Sequence, residues 1–192
     1  SSEAVDFALL KDGKLIELHK EQETSNFQVG DIFIAKIRKP VAGLNAAFVN
    51  VGYEKDAFLH YHDLGPNLAS QLKFIKLVSA GKIKDFSLKN FQFEKEIDKD
   101  GTITDVLNAN QSVLVQVVKE PISTKGPRIS AELSLAGRFI VLVPFSDRVS
   151  ISQKIEDKKE KDRLKKLVQS IKPKGFGVIV RTVAEGKNTA EL

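Results

Sequence analysis

The chain has 192 residues, 42% of them hydrophobic, and a net charge of +5, so it can bury a core in one large or two small domains and leans towards an anionic partner. Zero cysteines exclude a disulfide scaffold and thiolate-held zinc or iron-sulfur sites, and fit a reducing compartment. No apolar run approaches the roughly 18 to 20 residues of a bilayer span, and Ser1, Ser2, Glu3 and Ala4 do not begin a leader, so a soluble, cytoplasmic protein without a membrane partner is expected.

In chain order, residues 5–10 and 14–18 are short strand-like runs joined by Lys11, Asp12 and Gly13, and the Asp-Gly pair supports a tight hairpin turn. A lone hairpin is unstable in water, so its sheet partners are expected elsewhere. The missing initiator methionine and the lack of a polar tail read as a segment excised from a longer chain. Residues 29–118 then have the cadence of a small β-barrel, with strand-like runs at 30–38, 44–51, 57–60 and 112–118. Phe48 alternates with Ala46 and Asn50 on one face, while Ala47, Val49 and Val51 make a better core set on the other.

The barrel is interrupted at about 64–105 by a basic segment in which Lys73, Lys76, Lys82, Lys84 and Lys89 interleave with Phe74, Phe86, Phe91 and Phe93. Such a mixture extends a nucleic-acid track or simply covers the barrel; the strand-like alternation of Phe91 and Phe93 favours the cover. Asp98, Lys99, Asp100 and Gly101 lack the third carboxylate and closing glutamate of a calcium loop and read as a turn. His60 and His62 share a strand face, but His19 is the only other histidine, which leaves zinc short of ligands; no metal site is assigned.

Residues 119–130 form a loop rich in turn residues and cations, and Gly137 precedes a buried-type strand. A charged helix is expected over about 156–171: Leu164, Leu167, Val168 and Ile171 fall on one face, Pro173 and Gly175 end it, and Lys165 and Lys166 belong to its solvated side. Finally, Val178, Ile179 and Val180 favour a strand from which Arg181 emerges at a sheet edge, next to Thr182. A guanidinium fork beside a hydroxyl suits two phosphate oxygens; a solvated strand-end arginine is the competing reading.

Two sets of motifs carry a resemblance. Residues 29–33, 46–52 and 57–60 resemble an S1-like RNA-binding domain of the five-stranded OB-fold type, in which exposed aromatics such as Phe48 and Phe58 stack bases and neighbouring cations hold phosphates. Residues 117–122, 124–128, 135–139, 151–152 and 177–187, in that order, resemble the N-terminal half of the bacterial ribonuclease E/G family, over nearly the whole chain except the insertion.

The resemblance implies an α+β, mainly β, fold. Residues 1–28 would be the first strands of a split ribonuclease-H-like subdomain, 29–130 the S1-like barrel with its insertion, and 131–192 a small α/β 5′-sensor subdomain with the start of the return segment. It places Arg181, Thr182, Gly137 and Val141 at the 5′-phosphate pocket, and Phe48, Phe58, Lys125 and Arg128 against RNA. Gln153 stands where some members carry an arginine, so one outer phosphate contact is neutral or missing. The implied partner is single-stranded RNA, preferably 5′-monophosphorylated, and the implied parent is a homo-oligomeric, magnesium-dependent endoribonuclease. Its magnesium-binding aspartates would lie beyond Leu192, so no catalytic residue and no cofactor is assigned here and the segment is expected to bind RNA without cutting it. The competing classes are a non-enzymatic S1-type module of a translation or transcription factor and, more weakly, a phosphate-loop enzyme, for which residues 185–189 lack the glycine spacing.

Overall fold

The computed structural model describes residues 4–22, 27–83, 87–122 and 125–192. Asp12 and Gly13 take φ of 51° and 74°, the paired left-handed conformation that a two-residue hairpin turn demands. They join β1 (Ala4–Lys11) to β2 (Lys14–Gln22) in an antiparallel two-stranded sheet, with a register shift between Leu9 and Leu10. Leu9, Leu10, Leu15, Ile16 and Leu18 are each more than half exposed, and among the described residues no third strand joins this pair.

The barrel closes in the order β3 (Ile32–Val41), β4 (Ala46–Asn50), β5 (Ala57–His60), β7 (Arg128–Ser130), β6 (Ser112–Lys119), with β6 returning to β3. Strand alternation sends Ala35, Ile37, Val49, Leu59, Val115 and Ile129 inward, all buried. The fifth strand corrects the loop expected at 119–130. β7 has three residues and makes a single parallel pairing, Phe58 with Arg128, besides its antiparallel pairing with β6. A strand that short has no readable period, and only closure of the barrel supplies its partners.

The insertion folds as α1 (Leu68–Ser79), an extended segment and the single turn α2 (Ile103–Val106). Gln71 on α1 is buried and ties it to the barrel, donating to the Ala131 carbonyl at 3.0 Å and accepting from the Leu114 N–H at 3.1 Å. Asp98 Oδ1 accepts from the Asp100 N–H at 3.1 Å, the turn expected there. Phe91 and Phe93 lie in no strand. Phe91 packs edge-on against Phe74 and Phe145, 5.6 and 6.2 Å between centroids, so this aromatic cluster joins the insertion to the following sheet. Lys84 and Phe86 lie outside the described residues, as do Ser123 and Thr124.

That following sheet has the order β10 (Val149–Ile151), β11 (Phe176–Val180), β9 (Ile140–Pro144), β8 (Leu135–Ala136). β9 is half-buried rather than buried, because α3 (Lys158–Ile171) covers one face of the sheet only. Asp157 caps α3 by accepting from the Lys159 N–H, and Leu164 and Val168 bury against Val178 and Val180, while Lys165 and Lys166 stay exposed. Buried Gln116 couples barrel to sheet: its amide donates to the Gly30 and Ser134 carbonyls at 3.0 and 2.9 Å, and its oxygen accepts from the Ser134 N–H at 2.9 Å.

Glu160 and Arg163 on α3 hold the C-terminal loop. Glu160 accepts both guanidinium bonds of Arg163 at 2.7 Å and the Gly186 N–H at 2.8 Å, and Arg163 also donates to the Lys187 carbonyl at 2.9 Å. The hydrogen bond from Arg163, and then the one from Gly186, hold the Glu160 carboxyl down at about 2 from an ordinary 4.5. A depressed folded pKa contributes stability that is full above the unfolded value and lost as pH falls through the folded one. Thermal unfolding of the wild type should therefore lose ground to Glu160→Gln between pH 4.5 and about 2, with the wild type the more stable above that window. Parallel pH profiles would refute the clamp.

Candidate nucleic-acid interface

On the outer surface of the barrel, strand register lines up one transverse row. Lys39 pairs with Phe48, Phe48 with Phe58, Phe58 with Arg128, and Arg128 with Lys119. Phe48 and Phe58 are 36% and 37% exposed, far from the near-zero values of their strand neighbours Val49 and Leu59, and their rings meet edge-to-face at 6.0 Å. Two rings with faces available to solvent offer flat surfaces for bases. Period-two alternation had already put Phe48 on this side; the inward set Ala47 and Val49 fills the barrel instead.

The cations of the row differ in availability. Arg128 donates twice to the Asp63 carboxylate from Nη2, at 3.0 and 3.2 Å, and once from Nε at 3.3 Å, so its charge is compensated although the side chain remains 52% exposed. Lys39, Lys119 and Lys125 are exposed and form no ion pair among the described residues. Lys125 is carried to the row by its neighbour: a Cβ added to Gly126 would stand 2.4 Å from the Asp56 carbonyl oxygen, so the loop lies backbone against backbone on the residues leading into β5. Lys39 and Lys119 were missed in the sequence, where nothing local links them to Phe48 and Arg128.

The second cluster forms where β11 ends. Arg181 does not emerge at a sheet edge as expected, because β11 lies between β10 and β9; it leaves the C-terminal end of an interior strand. Its backbone N–H donates to the Phe139 carbonyl at 2.8 Å and its Nη1 to the Gly137 carbonyl at 2.9 Å, so it grips both sides of the turn between β8 and β9. That contact uses one donor of the exposed guanidinium's five and holds the fork in place. A Cβ at Gly137 would stand 3.0 Å from the Ile140 carbonyl oxygen, the tight approach of this turn.

Val141 pairs with Ile179 and Ala136 and shares the face of Ile179 and Arg181, opposite α3. Thr182 Oγ1 lies 3.0 Å from Ser152 Oγ. Gln153 is exposed beside that pair. Arg138 and Lys187 stand over the Phe139 ring at 5.1 and 5.7 Å, adding cations to the same turn, although Lys187 is also paired with Glu191 at 2.8 Å. An open groove of about 780 Å³ runs between barrel and sheet, its wall reaching from Val118, next to Lys119, to Gly137.

The model of the "Ribonuclease E/G family" matches residues 134–192, which include Gly137, Val141, Arg181 and Thr182. Over 185 residues, 96% of this chain, the sequence is 34% identical to Ribonuclease G of Escherichia coli K12, covering 34% of that protein. The C-terminal third of the chain thus matches the ribonuclease E/G family, and nearly the whole chain aligns with ribonuclease G. Ribonuclease G of Haemophilus influenzae gives the same identity and the same two coverages, and Ribonuclease E of Nostoc sp. PCC 7120 is 38% identical over 165 residues, 85% of this chain and 20% of its own.

The chain spans about a third of the length of its ribonuclease G relatives. Among its described residues no group of three or more His, Cys, Asp or Glu side chains could hold a metal ion. His60 Nδ1 instead accepts from the His62 N–H at 3.2 Å, which caps a short turn. No helix among the described residues is long and apolar enough to cross a membrane.

Proposed function

We propose that this chain is the RNA-binding and 5′-monophosphate-sensing part of a ribonuclease E/G-type endoribonuclease that acts on single-stranded RNA in the cytoplasm. Residues 29–130 form its S1-like domain and 131–192 its sensor, and 1–28 open a ribonuclease-H-like subdomain whose remaining strands come from elsewhere in the protein. The observation that carries the reading is the Arg181 guanidinium, held by Gly137 at 2.9 Å with four of its five donors unspent, next in sequence to Thr182.

A terminal phosphate monoester is a near-dianion at neutral pH and presents acceptor oxygens only, which a forked donor and a hydroxyl match. A 5′-hydroxyl brings no charge to that pocket. The barrel row supplies the affinity that does not depend on the 5′ end, through stacking on Phe48 and Phe58 and through Lys39, Lys119 and Lys125 on the backbone.

Binding of one short RNA carrying a 5′-monophosphate, a 5′-hydroxyl or a 5′-triphosphate tests the reading, and the monophosphate form should bind tightest. Equal affinities would favour a plain S1-type module indifferent to RNA ends. Hydrolysis needs a carboxylate-held cation to generate hydroxide and steady the leaving oxygen. With none assembled among the described residues, the isolated chain with magnesium should leave a 5′-monophosphorylated RNA intact for hours on a denaturing gel. Efficient cutting would overturn the assignment of catalysis to the rest of the longer protein.

A further inference from the structure

Ser152 and Thr182 come from different segments, yet Oγ and Oγ1 meet at 3.0 Å in a half-buried hydrogen bond. Ser152 is fixed on two sides: its N–H donates to the Val180 carbonyl at 2.9 Å and its carbonyl accepts from the Ile155 N–H at 3.2 Å. Thr182 is fixed by the turn it opens, its carbonyl accepting from the Glu185 N–H at 3.1 Å. Neither hydroxyl has another partner among the described residues.

Each hydroxyl carries one O–H donor and two lone pairs. The pair therefore consumes one hydrogen and leaves one unspent. A phosphoryl group offers acceptors alone, so it selects the arrangement in which Ser152 donates to Thr182 Oγ1 and the Thr182 O–H points out towards the anion, next to the Arg181 fork. We propose that Ser152 is a positioning residue for the 5′-phosphate: it fixes the Thr182 hydroxyl as a donor and polarises it. The proposal rests on the sensor reading above.

A free hydroxyl rotor samples three staggered wells, so fixing one is worth roughly threefold in affinity, and polarisation along the chain of hydrogen bonds adds to that. The test is the ratio of 5′-monophosphate to 5′-hydroxyl affinity for one RNA, measured by fluorescence anisotropy on the wild type, Ser152→Ala, Ser152→Thr and Arg181→Ala. Ser152→Ala should lower the ratio about three- to tenfold by weakening the monophosphate RNA alone, with the 5′-hydroxyl affinity and the unfolding midpoint unchanged. Ser152→Thr keeps the donor and should restore the ratio.

An unchanged ratio in Ser152→Ala, equal weakening of both RNAs, or a threonine variant as poor as the alanine one overturns the positioning role. If Arg181→Ala collapses the ratio while Ser152→Ala does not, the sensor stands and only this inference falls. A wild-type ratio of one takes down both.

Discussion

Arg181→Ala is expected to weaken binding of 5′-monophosphorylated RNA by about 10- to 100-fold while leaving 5′-hydroxyl RNA unchanged, the effect of removing hydrogen bonds to a charged group worth roughly 1.5 to 3 kcal/mol. The side chain is exposed and, among the described residues, bonds only the exposed Gly137 carbonyl, which water can satisfy once it is gone, so the fold should survive with its unfolding midpoint nearly intact. Arg181→Lys sharpens the experiment. It keeps the charge and loses the planar fork, so it should retain part of the affinity and little of the preference. Titration calorimetry on the two RNAs reads both quantities, and an alanine variant that still prefers the monophosphate would remove Arg181 from the pocket.

The double substitution Phe48→Ala with Phe58→Ala should act on the other term. Stacking of a base on an aromatic side chain contributes about 1 to 3 kcal/mol, so losing both rings should cost single-stranded RNA on the order of 100-fold in affinity, equally for either 5′ end. The two rings touch at 6.0 Å, so the single variants should not add up to the double. Because both are more than one-third exposed and the barrel is filled from the opposite face, the stability loss should stay near the roughly 1 kcal/mol of an aromatic pair. Each leucine variant keeps bulk without a ring face and should bind RNA nearly as poorly as alanine. Loss of affinity confined to monophosphorylated RNA would contradict the separation of the two clusters.

Local chemistry was legible where neighbours in sequence decide the outcome. The Asp12-Gly13 turn, the apolar stripe of α3 with its end before Pro173, and the outward placement of Phe48 each follow from a turn preference or a period of 3.6 or 2, and the structure has all three. Arg181 next to Thr182 was legible only as residue types side by side. Phe91 and Phe93 misled, since two aromatics at spacing two fit an irregular segment as well as a strand, and the ring partners of Phe91, Phe74 and Phe145, lie far apart in the chain.

By itself, then, the order of residues determined the hairpin, most barrel strands, the C-terminal helix and the likeness to ribonuclease G. It did so because turn chemistry, hydrophobic period and motif order are properties of contiguous stretches. Tertiary structure alone decided that residues 128–130 close the barrel, that Lys39 and Lys119 flank the two rings, that Asp63 neutralises Arg128, and that Ser152 meets Thr182. Those contacts join positions far apart in the chain, and an exposed lysine or serine carries no mark of its distant neighbour until strands pair and bring the two within a hydrogen bond's reach.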